Sequence, residues 1–117
     1  MNAVFDTIAC GQNNGVESDA PYGSIGGGKQ NVIKAGSFYG FIGGGLFNQV
    51  QTSAGTIGGG EHNRILFPGF YAVVCGGYYN TNAGNLSAIG GGQYNNIQSS
   101  ASYAAIGGGI GNAISAL

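Results

Sequence analysis

Two stretches decide the fold: Ser87-Ala88-Ile89-Gly90-Gly91-Gly92-Gln93-Tyr94-Asn95-Asn96-Ile97, and Tyr103-Ala104-Ala105-Ile106-Gly107-Gly108-Gly109. In both, small residues (Ser87-Ala88, Ala104-Ala105) lead into Ile-Gly-Gly-Gly. Working outward, the isoleucine or its equivalent stands at Ile8, Ile25, Ile42, Ile57, Val74, Ile89 and Ile106, with spacings of 17, 17, 15, 17, 15 and 17 residues. With this residue as position zero, position +3 is always glycine: Gly11, Gly28, Gly45, Gly60, Gly77, Gly92 and Gly109. Position +6 is always asparagine: Asn14, Asn31, Asn48, Asn63, Asn80, Asn95 and Asn112. Position +8 is Val16, Ile33, Val50, Ile65, Asn82, Ile97 and Ile114, with Asn82 the one polar member. Seven units covering residues 1–117 leave no room for a second domain.

A period of 15–17 residues is too short for a pair of helices. Glycine at 26 of 117 positions would moreover cost a helix ~1 kcal/mol at each interior site. Two short strands separated by turns fit. The first is typified by Tyr103–Ile106 and the second by Gln93–Ile97, with the glycine corner between them supplying positive φ. Stacked in register, the units make an all-β, single-domain parallel β-solenoid of seven rungs, repeating at ~4.8 Å, so that six steps span roughly 29 Å. Side-chain alternation places position zero and the small residues at −2 inward, as a thin core. It also directs the +6 asparagines inward or into the corner, where stacked amides form a structural ladder. Units spaced by 17 carry an aromatic at −3 (Tyr22, Tyr39, Tyr71, Tyr103), whereas those spaced by 15 carry Ala54 or Leu86. Packing accounts for this if the ring fills the longer corner.

Composition narrows the function. The chain has seven charged residues and a formal charge of −1, so it has no basic patch to neutralise a nucleic-acid backbone. With 43% apolar residues and little net charge, it does not read as disordered. No apolar run reaches the ~18–20 residues of a membrane helix, so no membrane insertion is expected. Met1-Asn2-Ala3-Val4 lacks the basic start of a secretory signal. Solvated domains usually carry about 25% charged residues, so the 6% here suggests that outer surface is covered by other chains.

Motifs for chemistry fail one by one. Gly23–Lys29 approaches a phosphate-binding loop, but Gln30 occupies the magnesium-binding Ser/Thr position and the same glycines recur without the lysine. Calcium-binding β-rolls need an aspartate in every repeat, and only Asp6 and Asp19 are present. His62, the one histidine, reads as a solvated side chain beside Glu61 and Arg64 rather than a catalytic base. Glu17 and Asp19 are the one close pair of carboxylates, and both lie in an exposed corner. Cys10 and Cys75 stand four rungs apart, about 19 Å, beyond disulfide reach; they read as free thiols or small buried side chains. No catalytic residue, cofactor or metal site is expected.

What remains is an outward column at +5: Asn13, Gln30, Phe47, His62, Tyr79, Tyr94 and Gly111, flanked by Leu46, Tyr78 and Ile110. Large rings on the outside of a solenoid call for a partner. Phe47, His62, Tyr78, Tyr79 and Tyr94 are therefore candidates for a self-association or ligand surface. The partner is another copy of the chain, or a host-surface protein or glycan meeting the rings.

Ser87-Ala88-Ile89-Gly90 and the repeats around it resemble the head repeats of YadA-like trimeric autotransporter adhesins, across essentially all seven units. Similar glycine-rich repeats occur in phage and viral fibre proteins. The resemblance implies a left-handed roll, three rolls packed side by side as a homotrimer, and a role in attachment at a cell surface, outside the cell or on a virion fibre. The units here are longer than in those heads and alternate in length. Neither a heptad stalk nor a membrane-anchoring barrel follows, and the last strand ends near Leu117 without a cap. These features fit an excised head segment or a free fibre subunit, open to rung-on-rung growth. The alternative is a purely structural, self-assembling spacer that binds no ligand.

Overall fold

A computed structural model describes residues 5–115. The expectations resting on Met1–Val4 and on Leu117 lie outside the described residues. Each unit contributes one two-residue strand to each of two parallel seven-stranded sheets. The first sheet holds positions −1 and zero: Thr7–Ile8, Ser24–Ile25, Phe41–Ile42, Thr56–Ile57, Val73–Val74, Ala88–Ile89 and Ala105–Ile106. The second holds +7 and +8: Gly15–Val16, Val32–Ile33, Gln49–Val50, Arg64–Ile65, Thr81–Asn82, Asn96–Ile97 and Ala113–Ile114. Every strand pairs with the same repeat position one unit away, as Ile42 does with Ile57 and Val50 with Ile65. Seven strands per sheet make about six full turns of a parallel β-solenoid. No helix occurs among the described residues.

The core follows from the alternation of faces. In rungs two to six, position zero and position +8 are fully buried isoleucine or valine, with Asn82 the polar exception, and they face each other across the coil; in the end rungs Ile8 is exposed and Ile114 half-buried. The −2 column is small because the +8 side chain of the opposite sheet fills its space. A Cβ added at Gly40 would lie 2.9 Å from Ile33 Cγ2, and one at Gly55 would lie 2.9 Å from Val50 Cγ1. The Cα body measures 39 × 22 × 13 Å, and the thinnest dimension leaves room for a single interdigitated layer.

The asparagines at +6 form the expected ladder. Asn31, Asn48, Asn63, Asn80 and Asn95 are buried. Each side-chain Oδ1 accepts the backbone N–H of the next asparagine, as Asn48 Oδ1 does from Asn63 at 2.9 Å. Each Nδ2 donates to two corner carbonyls, for Asn63 those of Gly59 and Gly77, both at 3.0 Å. One side chain thus satisfies backbone groups of two rungs at the corner.

Four expectations require correction. The strands are shorter than the alternating runs suggest, because the backbone turns left-handed at two further columns. All seven −3 residues have φ of 52–65°, and the six non-glycine +5 residues have φ of 54–57°. Tyr94 therefore sits at a corner, between a lone bridge at Gln93 and the strand at Asn96, while Tyr103 sits before its strand. A left-handed residue reverses its N–H: most rungs donate forward along the stack, but Phe47 donates back to the Lys29 carbonyl at 3.0 Å and His62 to that of Leu46 at 2.9 Å. Those bonds offset part of the ~1–2 kcal/mol that each left-handed side chain costs.

Secondly, position +4 forms a third ladder of parallel bridges from Gln12 through Lys29, Leu46, Glu61, Tyr78 and Gln93 to Ile110, so the coil has three walls rather than two. Thirdly, the −3 tyrosines do not fill the longer corners. They stand outside, with Tyr39 63% and Tyr103 79% exposed. Cys10 and Cys75 are likewise exposed free thiols and not small buried side chains.

The corner glycines divide by cause. At +3, φ lies between 85° and 104°, and a Cβ on Gly45 would sit 2.1 Å from the Gly60 carbonyl oxygen. The middle glycine, such as Gly44, has neither constraint: its φ is ordinary and nothing lies within 4 Å of an added Cβ.

Candidate functional site

The shared left-handed conformation at +5 throws each side chain off the same corner, one rung above the next. The rings consequently stack. Phe47 and His62 lie 4.9 Å apart between centroids at 11°, His62 and Tyr79 4.5 Å at 3°, and Tyr79 and Tyr94 5.4 Å at 19°. Tyr78, one residue earlier on the +4 wall, meets Tyr79 and Tyr94 edge-on at 4.6 and 5.7 Å. All five side chains singled out in the sequence thus form one continuous cluster across four rungs. Offset stacking of this kind contributes ~0.5–1.5 kcal/mol per pair beyond burial.

The geometry changes what the cluster offers. His62 and Tyr79 have both ring faces covered by their neighbours in the row, so a ligand meets ring edges there. The two ends of the row differ: Phe47 is preceded in the column by Gln30, and Tyr94 is followed by Gly111, which has no side chain, so that Tyr94 is 53% exposed against 40% for Tyr79.

Desolvation beside the row pushes the Tyr78 phenol above its ordinary pKa, with Tyr94, Tyr79 and Glu61 adding to the effect. His62 Nδ1 is shielded from solvent without a hydrogen-bond partner, and the Glu61 carboxylate lies 3.8 Å away. That spacing is too long for a hydrogen bond, and among the described residues no third group completes a catalytic relay.

Beside the row runs a groove of about 460 Å³. Phe47, His62 and Tyr79 form one side, and Val32, Gln49, Arg64 and Thr81, the outward members of the second sheet, line the other, with Gln30, Asn48 and Lys34 completing it. The +7 residues were not singled out by sequence, although the signal was there: each immediately precedes an inward Ile, Val or Asn82, so period two places it outside. Lys34 pairs with Glu17 at 3.1 Å. The Ala35 N–H, donating to Glu17 Oε2 at 3.1 Å, and then the Lys34 ammonium hold the Glu17 carboxyl below the ordinary glutamate range.

A second exposed apolar edge runs along the −4 and −3 columns, where Phe38 and Tyr39, Phe70 and Tyr71, Leu86 and Tyr103 project, interrupted at Ser53-Ala54 in the rung of Ile57. Tyr22 and Tyr39 stack at 4.9 Å there, and Phe5 and Tyr22 at 5.5 Å. Among the described residues, no group of three or more His, Cys, Asp or Glu side chains converges on a possible metal position, and no helix is long and apolar enough to cross a membrane. No protein-family model and no curated protein sequence matches the chain.

Proposed function

We propose that the chain is a non-enzymatic attachment or fibre module: a single repeat domain, coiled left-handed and assembled as a homotrimer, that contacts a cell surface or host ligand through several equivalent faces. The observation that carries this reading is the continuous row of stacked rings on the outside of a stiff repeat body, bordered by a polar groove. Such a surface gives weak contacts, and three copies on one particle multiply them through effective concentration. The handedness, the trimer and the placement at a cell surface, outside the cell or on a virion fibre rest on the resemblance of the repeats to adhesin heads. The −3 and −4 edge is the better candidate for self-association, since its rings are the more exposed and large apolar side chains of this kind are normally covered.

Light scattering on a sizing column tests the assembly. A solution mass three times 11.6 kDa is expected, and a monomer overturns the trimer. Adherence of labelled protein to cultured animal cells and to bacterial cells tests the attachment role. The double variant Tyr79→Ser/Tyr94→Ser is expected to lose adherence while keeping its mass. Loss of assembly instead supports the second reading, a self-assembling structural spacer whose rings serve contacts between copies; the low charge content favours that reading to the same degree.

A further inference from the structure

The groove beside the ring row is one-sided in charge. The chain carries four acidic and three basic residues, yet Lys34 and Arg64 line the groove and no carboxylate does. Lys34 is engaged by Glu17. Arg64 differs: it is exposed, stands in register between the neutral Gln49 and Thr81 of the adjacent strands, and pairs with no carboxylate among the described residues. A guanidinium with five donors and no anionic partner, set between an amide and a hydroxyl, is a receptor for carboxylate or sulfate.

The shape of the groove selects among anions. Single-stranded nucleic acids are held largely by stacking bases on aromatic faces, and the faces of His62 and Tyr79 are occupied by their neighbours in the row. An extended acidic peptide would need free backbone groups to add as a strand. Those of Gln49, Arg64 and Thr81 are spent on rung-to-rung pairing along the stack. What the groove presents is a row of polar side chains, Gln49, Arg64 and Thr81, repeating at the rung spacing of ~4.8 Å beside a wall of ring edges. A linear sugar chain advances by close to one rung per pyranose, carries hydroxyls for the amide and hydroxyl positions, and needs no free ring face to lie along the wall.

We infer that this groove binds a linear acidic polysaccharide, with Arg64 holding a carboxylate or sulfate, Gln49 and Thr81 hydrogen-bonding the flanking sugars, and His62 and Tyr79 walling the chain. The inference rests on the attachment reading and names its ligand class.

Calorimetric titration of the full chain with a heparin-derived octasaccharide (sulfated) and with an oligogalacturonate (carboxylate only) tests it. Neutral dextran and a DNA oligonucleotide of similar charge serve as comparisons. At least one acidic sugar is expected to bind, more weakly as salt is raised, and the pair tells sulfate from carboxylate. Arg64→Gln should weaken binding about 10- to 100-fold, the range for a lost charge-assisted bond. Lys29→Gln removes the same charge from the neighbouring +4 wall, outside the groove, and should change binding less than about threefold. Equal losses in the two variants, tighter binding of DNA, or binding of neither acidic sugar overturns the proposal. Continued adherence to cells in the last case would leave the attachment role standing without this ligand. Arg64 is exposed, so unchanged circular dichroism in Arg64→Gln confirms that the variant reports on binding and not on folding.

Discussion

Replacing Asn63 by alanine should destabilise the fold by about 2–6 kcal/mol, and the structure supplies the arithmetic. Asn63 is fully buried. Its Nδ2 donates to the Gly59 and Gly77 carbonyls, and its Oδ1 accepts from Asn80 N–H at 3.0 Å and Asn80 Nδ2 at 3.2 Å. After truncation the Gly77 carbonyl keeps its bond from Glu61 N–H at 2.9 Å, and Asn80 Nδ2 keeps the Gly76 and Gly92 carbonyls. The Asn80 N–H and the Gly59 carbonyl lose their partners. Two orphaned groups at ~1–3 kcal/mol each give the stated range. That is a large share of the roughly 6–18 kcal/mol expected for a domain of this size. Asn112 is the internal control. It stands in the last rung, is exposed, and its Oδ1 accepts no bond among the described residues, so Asn112→Ala should cost under about 1 kcal/mol. Urea unfolding followed by circular dichroism, at one chain concentration for all variants, reads the difference. Equal losses for Asn63→Ala and Asn112→Ala would refute the ladder as the source of stability.

Three further outcomes follow from particular contacts. Gly45→Ala should lose more than about 4 kcal/mol or fail to fold, because φ is 92° and the added Cβ meets the Gly60 carbonyl, while Gly44→Ala should stay within about 0.5 kcal/mol; thermal melts of the pair check this. Asn82→Ile restores the repeat pattern yet should destabilise by about 1–3 kcal/mol in urea, since Asn82 Oδ1 accepts the Gly84 N–H at 3.1 Å and the Ser87 hydroxyl, and its Nδ2 donates to the Val73 carbonyl at 3.1 Å. Glu17, whose carboxyl is held below its ordinary range, stabilises the folded chain above the unfolded glutamate pKa, and that contribution is lost as pH falls through the folded value. Its side chain is 42% exposed, so the effect is small, and Glu17→Gln should flatten the acid limb of a stability–pH curve only slightly.

The legible part of the candidate site was its list of rings. A column of Phe47, His62, Tyr79 and Tyr94 at one repeat position is visible in the sequence, because equal spacing in a stacked repeat means adjacency in space. The groove was not recognised, although the outward placement of Gln49, Arg64 and Thr81 follows from the same alternation. Its one-sided charge depends on Lys34 being engaged by Glu17; both stand at position +9 one rung apart, in a column whose mixed residue types leave no shared side chain to mark it. The left-handed corners were hidden as well. Tyr, Phe, Leu and Gln rarely adopt positive φ by preference. Here the requirement to turn N–H groups toward the preceding rung imposes it on whatever residue stands there, and no local propensity announces that.

By itself the sequence determined the rung length, the parallel in-register stacking, the Ile and Val core and the asparagine ladder. Each of these depends on one position repeating around the coil, and repetition along the chain becomes contact between neighbours once the units stack. Only the tertiary structure decided where each rung turns, that a third wall runs through Gln12 to Ile110, that the −3 tyrosines stand outside, and that the rings of the row cover one another's faces. Those features arise from the direction of each peptide group between rungs, a property of the closed coil that no single repeat position encodes.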